Sequence, residues 1–161
     1  MFRLGKIAPQ QRKGLILLIS NEPTCRKALA YHAEILSHGW LICSPRSMPI
    51  GEKLKAEFEN NLTELEIIPI TDEEVFDPLV CKEKVEQIFN HLPEFFTEQD
   101  VILDFTGMTG IASVGAVLAC LNERRAIQYV PATYDTGLQA QKPLDPIEVK
   151  LDWARAINKP K

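Results

Sequence analysis

The residues of this 161-residue chain best suited to chemistry are Thr106-Gly107-Met108-Thr109-Gly110. Two glycines let a backbone turn sharply and come close to a ligand, because no Cβ stands in the way. Two threonine hydroxyls stand beside them, and Ile111 to Leu121, which follows, reads as a helix of small and apolar residues. Free N–H groups at a helix start, with the partial positive charge of the helix dipole, suit a phosphate. The same five residues also read as a plain strand-to-helix turn with an N-cap threonine. They form neither a Walker A loop, since no Gly-Lys-Ser/Thr follows, nor a GxGxxG fingerprint.

A second polar turn, Ser20-Asn21-Glu22-Pro23, follows the apolar run Gly14 to Ile19. Ser20 could donate to a ribose or phosphate oxygen, or hold the turn. Glu22 could face a ligand, but reads first as a cap for the next helix. Asp104, inside the apolar run Val101 to Phe105, reads as an acceptor for backbone N–H groups near the loop, since a buried carboxylate needs partners. Arg26 and His32 have an R-x5-H spacing used by some ribonucleases. They fall on an ordinary sheet-packing helix, so the spacing reads as chance.

These turns are positioned by alternating elements. Gly14 to Ile19 and Val101 to Phe105 are continuous apolar runs, as central parallel strands are. Trp40 to Cys43, Leu65 to Ile70 and Ala126 to Pro131 read as further strands, with Pro69 pointing to an edge position. Ile147, Val149, Leu151 and Trp153 alternate with polar residues, giving a sixth strand with one wet face. Thr24 to Ser37 reads as a helix with Cys25, Ala28, Leu29, His32, Ile35 and Leu36 inward and Gly39 as C-cap. Ile50, Leu54, Phe58 and Leu62 mark a second helix, and Leu79 to Phe96 a third with Val85, Ile88, Phe89 and Leu92 inward. The expected fold is α/β and Rossmann-like: a mostly parallel sheet of about six strands with helices on both faces and right-handed crossovers. The expected strand order is 3-2-1-4-5 with the last strand at an edge. Ligands of such sheets bind at the carboxyl ends where the order reverses. The two turns that flank this point are the two polar ones.

Length fits a single domain, residues 14–161, behind a basic arm, residues 1–13. A net charge of -4 argues against broad binding to duplex DNA but leaves room for one local anion pocket. The four cysteines lack metal-ligand spacing and read as buried reduced thiols. No carboxylate or histidine cluster suggests a metal, and no cofactor is expected. No run is long enough to span a membrane and no secretory leader is evident, so a cytoplasmic protein is expected. Thr133 to Pro146 reads as a surface connection or as a lid.

The two turns together resemble a known family. LILLIS with Ser20-Asn21-Glu22-Pro23, and DFTGMTGIASVGAVLA, are similar to the sensor modules of type III CRISPR systems called CARF domains. The likeness runs over roughly residues 14–135, with IQYVPATYD as the following strand. In the family the second motif reads close to D-x-T-G-G-T-K. Here Met108 stands at the second glycine of that motif and Gly110 at its lysine. The resemblance implies binding of a cyclic oligoadenylate, tetra- before hexa-adenylate, across a homodimer. Its contacts would be Ser20, Asn21, Glu22, Thr106, Gly107, Met108, Thr109 and Gly110. Ala112, Gly115, Ala116 and Ala119 would let the partner approach, or else pack closely on the chain's own sheet. After residue 135 little remains for a nuclease or winged-helix domain, and CARF proteins of that kind are often similar to ring nucleases. Cleavage is then expected, without metal, to linear products with 2′,3′-cyclic phosphate ends, with Ser20 as the catalytic residue. A non-catalytic sensor or sponge is the alternative, and a Rossmann-like domain for another nucleotide is a more distant one. Arg46, Lys142 or the loop backbone would have to replace the missing lysine.

Overall fold

The computed structural model describes residues 5–121, 123–135 and 140–150. Two central strands fix the architecture. In β2 (Gly14–Leu18) every residue is buried, because alternate side chains enter two different cores. Ile16 and Leu18 join one, while Leu15, Leu17 and the following Ile19 join the other. β5 (Val101–Asp104), also buried throughout, pairs with β2 in parallel, Leu17 opposite Asp104. β3 (His38–Cys43) and β4 (Glu64–Pro69) extend the sheet on one side. β6 (Ala126–Tyr129), β9 (Ile147–Lys150) and β1 (Gly5–Ile7) extend it on the other. The order is β1-β9-β6-β5-β2-β3-β4, with β9 antiparallel to both neighbours.

The expected reversal of order therefore falls between β2 and β5. The edge position expected for the last strand is taken instead by β1. Pro69 does sit on an edge strand, where a missing N–H costs no ladder bond. β7 (Ala132–Asp135) and β8 (Ala140–Pro143) form a separate antiparallel ribbon beside the first helix, so Thr133 to Pro146 contains a hairpin.

Among the described residues, four helices cover the sheet. α1 (Glu22–His32) and α2 (Met48–Phe58) lie over the core that holds Leu15, Leu17 and Ile19. α3 (Pro78–Asn90) and α4 (Gly110–Leu121) lie over the other. Several expectations need correction, among them Ile35, which lies beyond α1 and is exposed rather than inward. Gly39 is not a helix cap but a β3 residue, where a Cβ would stand 2.6 Å from Leu65 Cδ2; α1 ends earlier, capped at Ala33. Leu62 is not on an inward helix face but in the turn before β4, 85% exposed. On β9 the charged Glu148 is buried, because Arg12 reaches it at 3.3 Å. Leu151 and Trp153 lie outside the described residues.

The basic residues at the end of the arm fasten the chain to its own sheet. Arg12 also donates to the Gln99 carbonyl at 2.7 Å, and the Lys13 ammonium sits 4.8 Å over the Phe96 ring. All four cysteines are buried and free. Burial pushes the thiols of Cys43 and Cys120 up to about 12. No described helix is long and apolar enough to cross a membrane.

The small residues of α4 face inward. Ala112, Gly115, Ala116 and Ala119 are buried, and a Cβ at Gly115 would stand 2.1 Å from the Pro78 carbonyl oxygen. They let α4 settle onto α3 rather than onto a partner. What α4 exposes is Ile111, Val114 and Leu118. Gly115→Ala should destabilise the fold by about 1–3 kcal/mol through overpacking. Denaturant unfolding reads this directly, and an unchanged midpoint would contradict the packing described.

Candidate functional site

The chain leaves β2 and β5 at neighbouring points, and the two turns that follow lock together. Ser20 Oγ accepts the Met108 N–H at 2.9 Å, across 88 residues of sequence. Gly107 makes that approach possible: a Cβ there would lie 1.9 Å from the Leu18 carbonyl oxygen and 3.1 Å from Ser20 Oγ. Met108, next in line, has φ 64. A side chain in this left-handed region costs roughly 1–2 kcal/mol, which is why glycine is the usual choice.

Thr109 then starts α4. Its hydroxyl oxygen accepts the Ala112 N–H at 3.0 Å and donates to the Val75 carbonyl at 2.6 Å. It thereby ties the helix start to the 3₁₀ turn Glu74–Phe76. The N–H groups of Gly110 and Ile111 have no acceptor within the helix, as at any helix start. Around Gly110 there is open space: a Cβ would meet nothing within 4 Å.

Behind the turn runs a buried polar chain. Asp104 accepts the Thr106 N–H at 2.9 Å and the Gln128 amide at 2.8 Å. Gln128 Oε1 lies 2.8 Å from His32 Nε2, and His32 Nδ1 receives the Arg12 N–H at 2.9 Å. A backbone N–H can only donate, so Nδ1 is an acceptor and the imidazole proton sits on Nε2. The direction of every bond is then set: His32 donates to Gln128, and Gln128 donates to Asp104. Thr106 closes the chain by accepting the Val130 N–H at 2.8 Å. Burial pushes the Asp104 carboxyl up, against the pull of its hydrogen bonds. Burial pushes the His32 imidazole down, helped by the nearby Arg12 charge.

The site residues named from the sequence divide accordingly. Ser20, Met108 and Thr109 line one cavity of about 590 Å³, together with Ile19, Ser44, Arg46, Ser47, Ile50, Asp72, Val75 and Phe76. Thr106, Gly107 and Gly110 belong to the turn without lining it. Asn21 caps α1, accepting the Thr24 N–H at 3.2 Å. Glu22 bonds Lys53 at 2.5 Å and Arg26 at 2.7 Å, and these cations hold its carboxyl below the usual value. Arg26 also pairs with Glu57 at 2.9 Å, and His32 is wholly buried, so the two residues of the R-x5-H spacing do not meet.

Gln128, Asp72 and Phe76 were not singled out from the sequence. Gln128 was findable as a lone polar residue in an apolar strand, opposite Asp104 in register. Asp72 and Phe76 follow the carboxyl end of β4, the side of the sheet where ligands bind. A larger hollow of about 820 Å³ lies at the amino ends of β5 and β6. Its Arg12 and Arg125 are already paired with Glu148 and Glu98. Arg124 also lines it, without an ion pair among the described residues, so the switch-point cavity is preferred for its place at the carboxyl ends of the strands, where ligands of such sheets bind. Among the described residues no three His, Cys, Asp or Glu side chains are placed to hold a metal.

No protein-family model matches the chain, and no curated protein matches it. Solved structures do match it in fold. One is Can2 from Sulfobacillus thermosulfidooxidans in complex with cyclic tetra-adenylate: TM-score 0.58, 14% identity, covering 82% of this chain and 37% of that one. Another is Csm6 of Enterococcus italicus bound to cyclic hexa-2′-fluoro-hexa-dAMP: TM-score 0.53, 15% identity, covering 81% and 35%. A third is a type III CRISPR defence DNA nuclease activated by cyclic oligoadenylate: TM-score 0.54, 14% identity, covering 94% and 22%. The chain thus spans well under half the length of these proteins. What the chain shares with these structures is the fold.

The buried chain sets a pH dependence. The unfolded chain protonates its histidine near the ordinary value of 6.5, while native His32 resists protonation. The native state then binds fewer protons, so its contribution to stability is lost as pH falls through that value. The melting temperature should drop between pH 7 and pH 5.5, and more steeply in the wild type than in His32→Gln. Parallel profiles for the two proteins would contradict a buried neutral imidazole.

Proposed function

We propose that this chain binds a cyclic oligoadenylate at the switch-point cavity, shared between two copies of the chain, and cuts it there without a metal. The observation that carries the reading is the Ser20–Met108 hydrogen bond. It holds the two polar turns as one surface beside the start of α4. Free helix N–H groups and the Ser20 hydroxyl proton, which that bond does not use, are donors suited to phosphate oxygens. The solved structures that share the fold include proteins in complex with cyclic oligoadenylates.

A ring with repeating phosphates suits a site doubled by a two-fold axis. The surface for that axis is the outer stripe of α4, Ile111, Val114 and Leu118, which begins beside the cavity with Phe76 and Leu79 exposed nearby. In the cutting step a ribose 2′-oxygen attacks the adjacent phosphorus and the 5′-oxygen leaves with a proton. A 2′,3′-cyclic phosphate and a 5′-hydroxyl remain. Ser20 donates to a non-bridging oxygen, and bending the ring into line supplies much of the barrier lowering. Tetra-adenylate is the ligand expected first and hexa-adenylate second.

A second reading is a sensor or sponge that holds the ring uncut. Gly110 in place of the family lysine favours it, as does a cavity whose lining, among the described residues, carries Arg46 and Asp72 as its charged groups. Incubation with cyclic tetra- and hexa-adenylate in EDTA, followed by chromatography, separates the two. Linear products in EDTA support cutting, with Ser20→Ala slowing turnover more than it weakens binding. Tight binding without products leaves the sensor, and no binding overturns both.

A further inference from the structure

The cavity contains three exposed side chains that the turn motifs do not include, Arg46, Asp72 and Phe76, and two of them suit a nucleotide. Arg46 comes from the turn between β3 and α2, where Ser44 and Ser47 hold the backbone: the Ser44 N–H donates to Ser47 Oγ at 2.9 Å and the Ser47 N–H to Ser44 Oγ at 3.3 Å. Among the described residues Arg46 makes no ion pair, although most cations near the site do. It shares the cavity with Ser20, Met108 and Thr109. Phe76 comes from the 3₁₀ turn after β4 and is 62% exposed beside the polar lining. The bond from Thr109 to the Val75 carbonyl fixes that turn against the start of α4. An exposed, well-anchored aromatic ring at a cavity of mixed lining is a platform for a planar ligand, and a free guanidinium offers a planar fork for phosphate.

Resting on the cyclic oligoadenylate reading, we propose that Arg46 is the phosphate-binding cation of this site, in the role left vacant at Gly110, and that Phe76 stacks on a base of the same ring. The cavity is then divided. Ser20 and Arg46 take the backbone of the nucleotide and Phe76 takes the base, with Asp72 also in the lining. Lys142, on β8, does not line the cavity and has no part in this.

Charge and stacking leave different signatures, which keeps the two contacts separable. Calorimetric titration with cyclic tetra- and hexa-adenylate at several salt concentrations is the experiment. Arg46→Ala should weaken binding about ten- to a hundredfold, the scale of a hydrogen bond to a charged group, and make the salt dependence shallower. Phe76→Ala should weaken binding about tenfold with the salt dependence unchanged, and Phe76→Trp should retain affinity. Gly110→Lys, which meets open space, should restore binding to Arg46→Ala. Both wild-type side chains are exposed, so the variants fold. If the wild type binds the ring and Arg46→Ala or Phe76→Ala binds it equally well, the proposed division is overturned while the cyclic oligoadenylate reading stands. If the wild type binds neither ring, both fall together.

Discussion

Gly107 has no side chain because the Leu18 carbonyl occupies the space where one would go. That close approach is the constraint the rest of the site depends on. It brings the turn after β5 against the turn after β2, so that Met108 N–H meets Ser20 Oγ. The next residue, Met108, has a left-handed backbone, at a cost in strain. Without the contact, two polar loops would stand apart and α4 would begin elsewhere. With it, Ser20, Met108 and Thr109 line one cavity with residues from the ends of β3 and β4.

The turn is supported from beneath by polar groups that are unusual inside an apolar sheet. Asp104, Gln128 and His32 are buried, and each finds its partner in the next. The Arg12 N–H sets the direction of the whole chain. Asp104 is thereby left as an acceptor for the Thr106 N–H, at the first residue of the motif. A buried carboxyl without such partners would be costly, so this chain and the loop conformation support one another. The arm preceding β2 thus contributes to the far end of the sheet.

Much of this was legible in the sequence because strands buried on both faces leave a strong mark. The runs GLILLI and VILDF identified the two central strands, and the alternation of elements gave the order around them. The polar turns after those runs then located the crevice. Where expectation and structure part, a tertiary contact has overridden a local pattern. Gly39 looked like a helix stop but serves close packing against Leu65. Leu62 continued a four-residue spacing after α2 had already ended at Phe58. Glu148 looked like a solvated strand residue but is buried by its pairing with Arg12. The small residues of α4 were open to two readings, and only the position of Pro78 shows that they pack inward. Asp72 and Phe76 lie in a segment without periodicity, so nothing local marked them.

These features support one site in which helix N–H groups, a serine hydroxyl and a cation surround a multiply charged ring. Two copies related through the exposed stripe of α4 would each supply half of it. Sedimentation of the protein titrated with cyclic tetra-adenylate tests that claim most directly, because it reads mass and occupancy together. One ring bound per two chains, in a species of twice the monomer mass, is the expected result. One ring per single chain, or no ring bound at all, would contradict it.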